Sequence, residues 1–262
     1  MKEGKQRHTT VQRAILVLKT LAETGEPMGI TEVAAALELP KASVFRLLRD
    51  LREVDCVIYD ERAQTYTLGP TLVQLGEQAR GQLHLINTAR PVLEQLARKI
   101  GEMVNLGILY DNKVLVIDSV RDIEGPCLTV NLDPVAELHC SALGKALLSC
   151  LPAAEVRDML EGLTLGERTP NTISSPKQLL EEIEEVRRTG IAYDQEEYEL
   201  GLLCLGVPVR SGDRPLAAIS IAGPVTRMKA YGLASIETAI LDAGQHLELL
   251  LGSAGRAAMR LF

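Results

Sequence analysis

A chain of 262 residues that is 46% hydrophobic can hold two ordinary domains with sizeable cores, and this composition excludes extensive disorder. Its start, MKEGKQRH, is polar and its longest apolar run lies near Leu216 to Ala222, far short of the roughly 20 residues of a membrane span, so the expected location is cytoplasmic with no membrane partner. The net charge of −7 is unevenly held: residues 1–69 carry 10 Lys+Arg and 10 Asp+Glu, and the remainder carries 18 against 25, so any nucleic-acid contact in the first part must come from a clustered face.

Thr10 to Glu23, TVQRAILVLKTLAE, reads as a helix with Val11, Ala14, Ile15, Leu18, Leu21 and Ala22 inward, ended by Gly25-Glu26-Pro27. Next, ITEVAAALELPKASVFRLLRDLREV (Ile30 to Val54) holds two helical patterns joined by a tight turn. In the first, Thr31 can cap, Val33, Ala34 and Leu37 form the inward face, and Leu39-Pro40 ends the helix, since a residue before proline avoids the α region. In the second, Val44, Leu47, Leu48, Leu51 and Val54 share one face at helical spacing, opposite Ala42, Arg46 and Arg49, with Ser43 and Phe45 on the flanks. This is the spacing of a helix-turn-helix, although two amphipathic helices also pack this way in an ordinary α-domain. The following CVIYDERAQTYTLG tips the balance: Val57 and Tyr59 alternate outward, and Tyr66 and Leu68 alternate back across Asp60 to Gln64, which reads as the β-hairpin wing of a winged helix-turn-helix. Ser43, Phe45, Arg46 and Arg49 are the candidates for base edges. Arg13, Lys41 and Arg62, the last at the wing tip, are candidates for phosphate or minor-groove contact.

Gly69-Pro70 opens a further helical run with Leu72, Leu75 and Ala79 on one side, then Gly81, a natural connector. The helix resumes over Leu83 to Ile100 (Leu85, Ile86, Ala89, Val92, Leu93, Leu96, Ile100 inward), with Pro91 as an early residue or a kink, and dimer geometry is expected to be set there. Met103 to Leu109 and Lys113 to Val120 are strands joined by the turn Asp111-Asn112, and Leu128 to Asn131 is another strand candidate. Helices are expected over Cys140 to Leu151 (opened by Ser141), Ala153 to Glu161, Pro176 to Thr189 and Leu233 to Leu251. Later strands are expected at Gly190 to Asp194, Leu203 to Val209 and Leu216 to Ala222. The domains expected are therefore 1–69, a winged helix-turn-helix, mainly α; 70–84, a linker helix; and 85–262, an α+β sensor-like domain with an antiparallel sheet. No internal repeat is present.

Several of these stretches carry a resemblance. TVQRAILVLKTLA, ITEVAAALELPKASVFRLLRDL, the wing ending YTLG, ARPVLEQLA, HCSALGKALLSCLP and, most specifically, GIAYDQEEYELGLLCLGVPV make the chain similar to the IclR family of bacterial transcriptional regulators over nearly its whole length. In the last stretch Gly190, Asp194, Glu197, Cys204, Leu205, Gly206 and Val209 stand at the family's intervals, and Arg210-Ser211 departs from them. The resemblance implies an N-terminal domain that binds a double-stranded DNA operator, a linker helix and a C-terminal, GAF-like effector domain with a curved sheet. It also implies homodimers that often pair into tetramers. The family's pocket lies around Ser141 to Lys145, Asp194, Leu202 and Cys204, and the strand AAISIAGP.

The residues themselves are compatible with such a pocket. Ser141 can cap the helix beginning at Ala142, leaving the amides of Ala142 and Leu143 free to face an anion; the bland alternative is that Ser141 caps an ordinary structural helix. A small carboxylate is the simplest ligand. Asp194 and Ser220 can hydrogen-bond it, and Leu128, Leu202 and Cys204 can supply apolar walls. Leu143 and Ala222 stand where some relatives have alanine and a second serine, which favours an apolar or aromatic acid over a polyhydroxylated one.

Other classes fit less well. A catalytic reading needs Cys140 or Cys204 with His139 or His246, yet adjacent His139 and Cys140 point apart. A metal reading needs His139, Cys140, Asp194 and Cys204 to converge without any short ligand pair. The five cysteines, Cys56, Cys127, Cys140, Cys150 and Cys204, lack a CxxC pair and are expected to be reduced thiols. No cofactor is expected. A ligand-sensing module without DNA binding leaves the basic helix face and the wing unused. Thermodynamic linkage is the expected mechanism: an effector prefers one arrangement of the C-terminal domains, and the linker helices turn that preference into half-site spacing.

Overall fold

The structure is a computed structural model, and it describes residues 8–121, 134–161, 165–212 and 214–253. Two compact units divide the chain, Met1–Gln82 and Leu83–Phe262. The strand candidate Leu128 to Asn131 lies outside the described residues.

In the first unit α1 (Thr10–Thr24) opens with a capping box. The Thr9 hydroxyl accepts from the Gln12 amide at 3.3 Å and the Gln12 side chain accepts from the Thr9 amide at 2.8 Å, which satisfies two otherwise orphaned donors. The helix stops at Gly25, whose φ of 68° suits a left-handed cap. Its buried face is Val17 and Leu21, backed by Ala14 and Leu18. The expected inward set was therefore rotated: Val11, Ile15 and Ala22 are exposed, because the stripe facing the other helices is centred on Val17.

The turn into α2 (Ile30–Ala36) also differs from expectation. Thr31 lies inside the helix, Gly29 is the cap residue, and the Glu32 carboxylate accepts from the Gly29 amide at 2.7 Å. Val33 and Ala34 are buried with Leu37 against them. Glu38, at φ 50°, turns the chain, and α3 (Lys41–Glu53) buries Val44, Leu47, Leu48 and Leu51. Val54 leaves that face, since it ends the helix at φ −112° and is exposed.

The hairpin β2 (Val57–Asp60) and β3 (Thr65–Leu68) pairs Val57 with Leu68 and Asp60 with Thr65. A short strand before α2, β1 (Met28–Gly29), adds to β3 and makes a three-stranded sheet. Val57 and Tyr66 are buried and Tyr59 stacks obliquely on Tyr66, with ring centroids 4.6 Å apart. Then α4 (Pro70–Gln82) runs to the end of the unit with no buried residue, leaving Val73 and Leu75 in solvent.

The second unit begins with α5 (His84–Ile100), which buries every residue expected inward and passes through Pro91 without interruption. The hairpin of β4 (Met103–Tyr110) and β5 (Lys113–Val120) turns on Asp111 and Asn112 at φ 52° and 56°, the tight turn whose twist matches the strands. After them come β6 (Val135–Ala136), α6 (Ala142–Ser149), α7 (Ala153–Glu161) and α8 (Pro176–Thr189). They are followed by β7 (Ala192–Gln195), β8 (Leu202–Ser211), β9 (Arg214–Pro224), α9 (Val225–Tyr231) and α10 (Leu233–Ser253). The sheet is antiparallel, in the order β6-β5-β4-β9-β8-β7. Side-chain alternation divides it into two cores: one face packs on α5, α9 and α10, and the other on α6, α7 and α8. At Arg210, where the sequence leaves the family pattern, the β8–β9 register shifts by a bulge and the strand still continues to Ser211.

Helix α6 is buried along its whole length, because two glycines let it lie close to its neighbours. A Cβ on Gly206 of β8 would fall 2.6 Å from the Ala142 carbonyl oxygen. One on Gly144 would fall 2.4 Å from the carbonyl oxygen of Leu138 and 2.5 Å from its Cα. Backbone cannot yield as a flexible side chain can, so Gly144→Ala is expected to cost about 1–3 kcal/mol through forced displacement of α6. A matching fall in the melting temperature of the second unit, by calorimetry, checks this; an unshifted transition would contradict the close packing.

Candidate functional site

The first unit offers a surface. On α3 the apolar stripe turned inward leaves Lys41, Ala42, Phe45, Arg46 and Arg49 exposed and Ser43 half-buried. Phe45 is 53% exposed, a large apolar side chain left on the solvent side of the helix. Arg46 folds back so that its Nε donates to the Ala42 carbonyl at 3.3 Å. Arg49 donates to Asp50 at 2.8 Å and stands 3.9 Å from Glu53. Such solvent-exposed pairs add little to stability, being screened and costly in side-chain entropy. Arg62 is exposed on the β2–β3 turn, where its amide donates to Asp60 at 2.8 Å. Arg13 does not face freely outward as expected: it is half-buried on α1, and its Nε is enclosed with no hydrogen-bond partner among the described residues.

The second unit encloses a cavity of about 30 Å³ between α6 and the sheet. Two neighbouring rows of the sheet floor it. One row is Asp194, Cys204 and Ala222, paired across β7, β8 and β9; the other is Gly206, Ser220 and Asn105, paired across β8, β9 and β4. Ser141, Ala142 and Leu143 close it from the start of α6, and Leu202 adds to an apolar cluster with Ala142, Cys204 and Ala222. Eight of the nine sequence-named pocket residues thus meet around one cavity; Leu128 lies outside the described residues. Ser141 caps α6 by accepting from the Gly144 amide at 3.1 Å, which leaves the first-turn amides of Ala142 and Leu143 without intrahelical partners.

Sequence reasoning missed Asn105, Val116, Ala136 and Tyr198 in the lining. Asn105 had a signal, being an amide side chain in the middle of the otherwise apolar run MVNLGIL. Its amide accepts from the Ser119 hydroxyl at 2.8 Å and lies 3.5 Å from Ser220. Lys145 also had one, a lysine inside the apolar run ALGKALL. It is fully buried and paired with Glu197 at 2.7 Å and Glu182 at 3.4 Å, while the second oxygen of Glu197 has no partner. Burial raises the pKa of Glu197, an effect Lys145 opposes.

Asp194 is 1% exposed. Its Oδ1 accepts from the Glu197 amide at 2.8 Å and the Tyr198 amide at 3.1 Å, and the Cys204 thiol also bonds to the carboxylate. Burial outweighs these donors and raises Asp194 from 3.8 to about 6. The native state therefore holds this proton where the unfolded chain has lost it, and the group's contribution to stability declines as pH rises from about 4 to about 6. Burial likewise lifts the Cys140 thiol to about 12 and the Cys204 thiol well above its usual value, so both are protonated small hydrophobes at neutral pH. His139 is bound to the Gly166 carbonyl at 2.9 Å, and among the described residues no group of three or more His, Cys, Asp or Glu is placed to hold a metal ion.

Comparison with known proteins matches residues 10–61 to the IclR helix-turn-helix domain and residues 77–249 to the bacterial transcriptional regulator IclR C-terminal domain. The chain is 30% identical over 247 residues to the HTH-type transcriptional regulator BhcR of Paracoccus denitrificans (strain Pd 1222), covering 94% of this chain and 88% of that protein. Over 246 residues it is 27% identical to the transcriptional repressor IclR of Escherichia coli (strain K12), covering 93% and 90%. The crystal structure of an IclR transcriptional regulator from Alicyclobacillus acidocaldarius superposes with a TM-score of 0.80 at 25% identity, over 93% of this chain and 99% of that one. These relatives are regulators and not enzymes, which removes the catalytic alternative.

Proposed function

Since the chain belongs to the IclR family of bacterial transcriptional regulators, with a helix-turn-helix domain and a C-terminal ligand-binding domain, we propose that a small carboxylate in the α6 cavity controls its affinity for a DNA operator. The observation that carries the DNA half is the solvent face of α3. Its buried residues, Val44, Leu47, Leu48 and Leu51, satisfy the core and leave Phe45 and Arg46 exposed on the opposite side. Arg46 is assigned to a base edge, with Ser43, Phe45 and Arg49 beside it; Lys41, Arg62 and the half-buried Arg13 are assigned to the backbone. Because the first 69 residues carry no net charge, binding rests on few contacts. Arg46→Ala is expected to weaken operator binding by about 5- to 150-fold, the equivalent of one bidentate base contact at roughly 1–3 kcal/mol. Fluorescence anisotropy with the protein's own promoter region measures this; unchanged affinity would refute the assigned face.

For the effector half, the first-turn amides of Ala142 and Leu143 favour an anion, with the Ser220 hydroxyl and the Asn105 amide as further hydrogen-bonding groups. The walls Leu202, Cys204 and Ala222 are apolar, which favours a monocarboxylic acid with an apolar remainder over a sugar acid. The protein is proposed to work as a homodimer, able to pair into a tetramer, with the linker segment converting effector binding into half-site spacing of about one helical turn or a multiple. No helix among the described residues is long and apolar enough to cross a membrane; the proposed place of action is on DNA in the cytoplasm, the reading that the helix-turn-helix domain supports.

A further inference from the structure

The cavity beneath α6 contains the wrong charge for an anion. Among its twelve described lining residues none is Lys, Arg or His, and the single carboxyl group is that of Asp194. An acid bound against this lining therefore meets Asp194 as its one charged side chain. Lys145 of α6 does not compensate, because it is spent on Glu197 and Glu182. The groups acting on Asp194 are Glu197 and Tyr198 on its own segment, Lys145 from α6, and Cys204 from β8; Cys140, just before α6, feels its charge in turn. Glu197 and Lys145 act in opposite directions on it, and Arg168, whose Nε donates to the Tyr198 carbonyl and whose guanidinium stacks on the Tyr198 ring at 3.8 Å, is a further cation beside this segment.

We propose, resting on the carboxylate reading above, that Asp194 and the effector's carboxylate share one proton, so that each acid bound draws one proton from solvent. Two like charges brought together at a carboxyl only 1% exposed cannot both stay ionised. The balance is simple: Asp194 carboxylate, effector carboxylate and one solvent proton give a single O–H···O⁻ bond between the two groups, and no covalent bond to carbon changes. Oδ1 is already committed to the amides of Glu197 and Tyr198, so the shared proton is assigned to Oδ2. Burial has raised the carboxyl to about 6 before any anion arrives, and a second negative charge raises it further. The pair then titrates as a unit. Affinity is therefore highest in acid and falls as pH rises above 6, and the site discriminates against dianions.

The test uses the full chain with acetate, pyruvate and benzoate as probes, by isothermal titration calorimetry at pH 5.5, 6.5 and 7.5 in buffers of different ionisation enthalpy. The expected result is an uptake approaching one proton per acid bound at pH 7.5, with affinity falling up to about tenfold per pH unit above 6. Asp194→Asn, which keeps an acceptor for the two amides, is expected to abolish the uptake and flatten the pH profile. Glu197→Gln is expected to retain both. Binding without proton uptake, or uptake that persists in Asp194→Asn and disappears in Glu197→Gln, overturns the proposal alone. If none of the three acids binds at any of these pH values, the carboxylate reading fails and takes the proposal with it.

Discussion

Leu48→Ala is expected to unfold the helix-turn-helix unit at 37 °C while leaving the effector unit folded. Leu48 is fully buried in α3 and shares its cluster with Val17, Val33 and Val44. Truncating a core leucine costs about 2–5 kcal/mol through lost transfer energy and the cavity left behind. A unit this small buries a modest fraction of its surface and sits near the lower end of the usual ~5–15 kcal/mol stability range. The loss is therefore comparable with all that holds the unit together. Calorimetry should show the transition of the first unit displaced by about 4–8 °C for each kcal/mol lost, and operator binding should vanish with it. An effector-unit transition that moved by the same amount would contradict the division at Gln82 and Leu83.

A comparable loss is expected in the other unit from Lys145→Ala. This lysine is entirely enclosed, and Glu197, 6% exposed, already has one oxygen without a partner. Removing one member of a buried pair leaves an uncompensated charge and costs about 3–5 kcal/mol. The deficit should depend on pH in a defined direction. Without Lys145 the pKa of Glu197, already raised by burial, rises further. The native state then holds a proton that the unfolded chain releases at its usual carboxylate value, so stability is regained as pH falls through the raised value. Urea unfolding at pH 5 and pH 8 should show a much smaller difference from wild type in acid. A difference that is equal at both pH values would mean that Glu197 is not the charge left behind. Replacing both partners, as Lys145→Met with Glu197→Leu, should recover most of the loss, since apolar groups of similar volume need no compensation.

How much of this was legible in the sequence depended on the range of the interactions involved. The strands flanking Asp111 and Asn112 were readable because a tight turn needs residues tolerant of positive φ, and both have it. Helix α5 was readable because its stripe is wide and its buried face agrees with a single helical phase. On α1 the apolar residues occupy more than one face, so periodicity could not choose between the Val17 side and the Val11–Ile15 side; contact with α2, α3 and the hairpin made that choice. The strand β1 is two residues long, and only its pairing to β3 makes it a strand. In the cavity, the residues near Ser141, Asp194 and Cys204 were found through family resemblance and local chemistry. Asn105 and Tyr198 were not, because pairing Asn105 with Ser220 is a matter of register between strands more than a hundred residues apart. The ion pair of Lys145 with Glu197 was equally out of reach of local pattern.

The placement of the cavity on two rows of paired strands has an evolutionary consequence. Asn105, Ser220, Ala222 and Cys204 sit where backbone ladder bonds are made whatever the side chain is. On the proposed reading of the cavity as the effector site, a lineage can change what this floor recognises one residue at a time, exchanging a hydroxyl, a methyl, an amide or a thiol, without re-registering the sheet. The glycines that seat α6 offer no such freedom, since even a methyl group at Gly144 or Gly206 meets backbone. Selection on a new effector would thus be expected to act on the floor of the proposed site and to leave its roof unaltered.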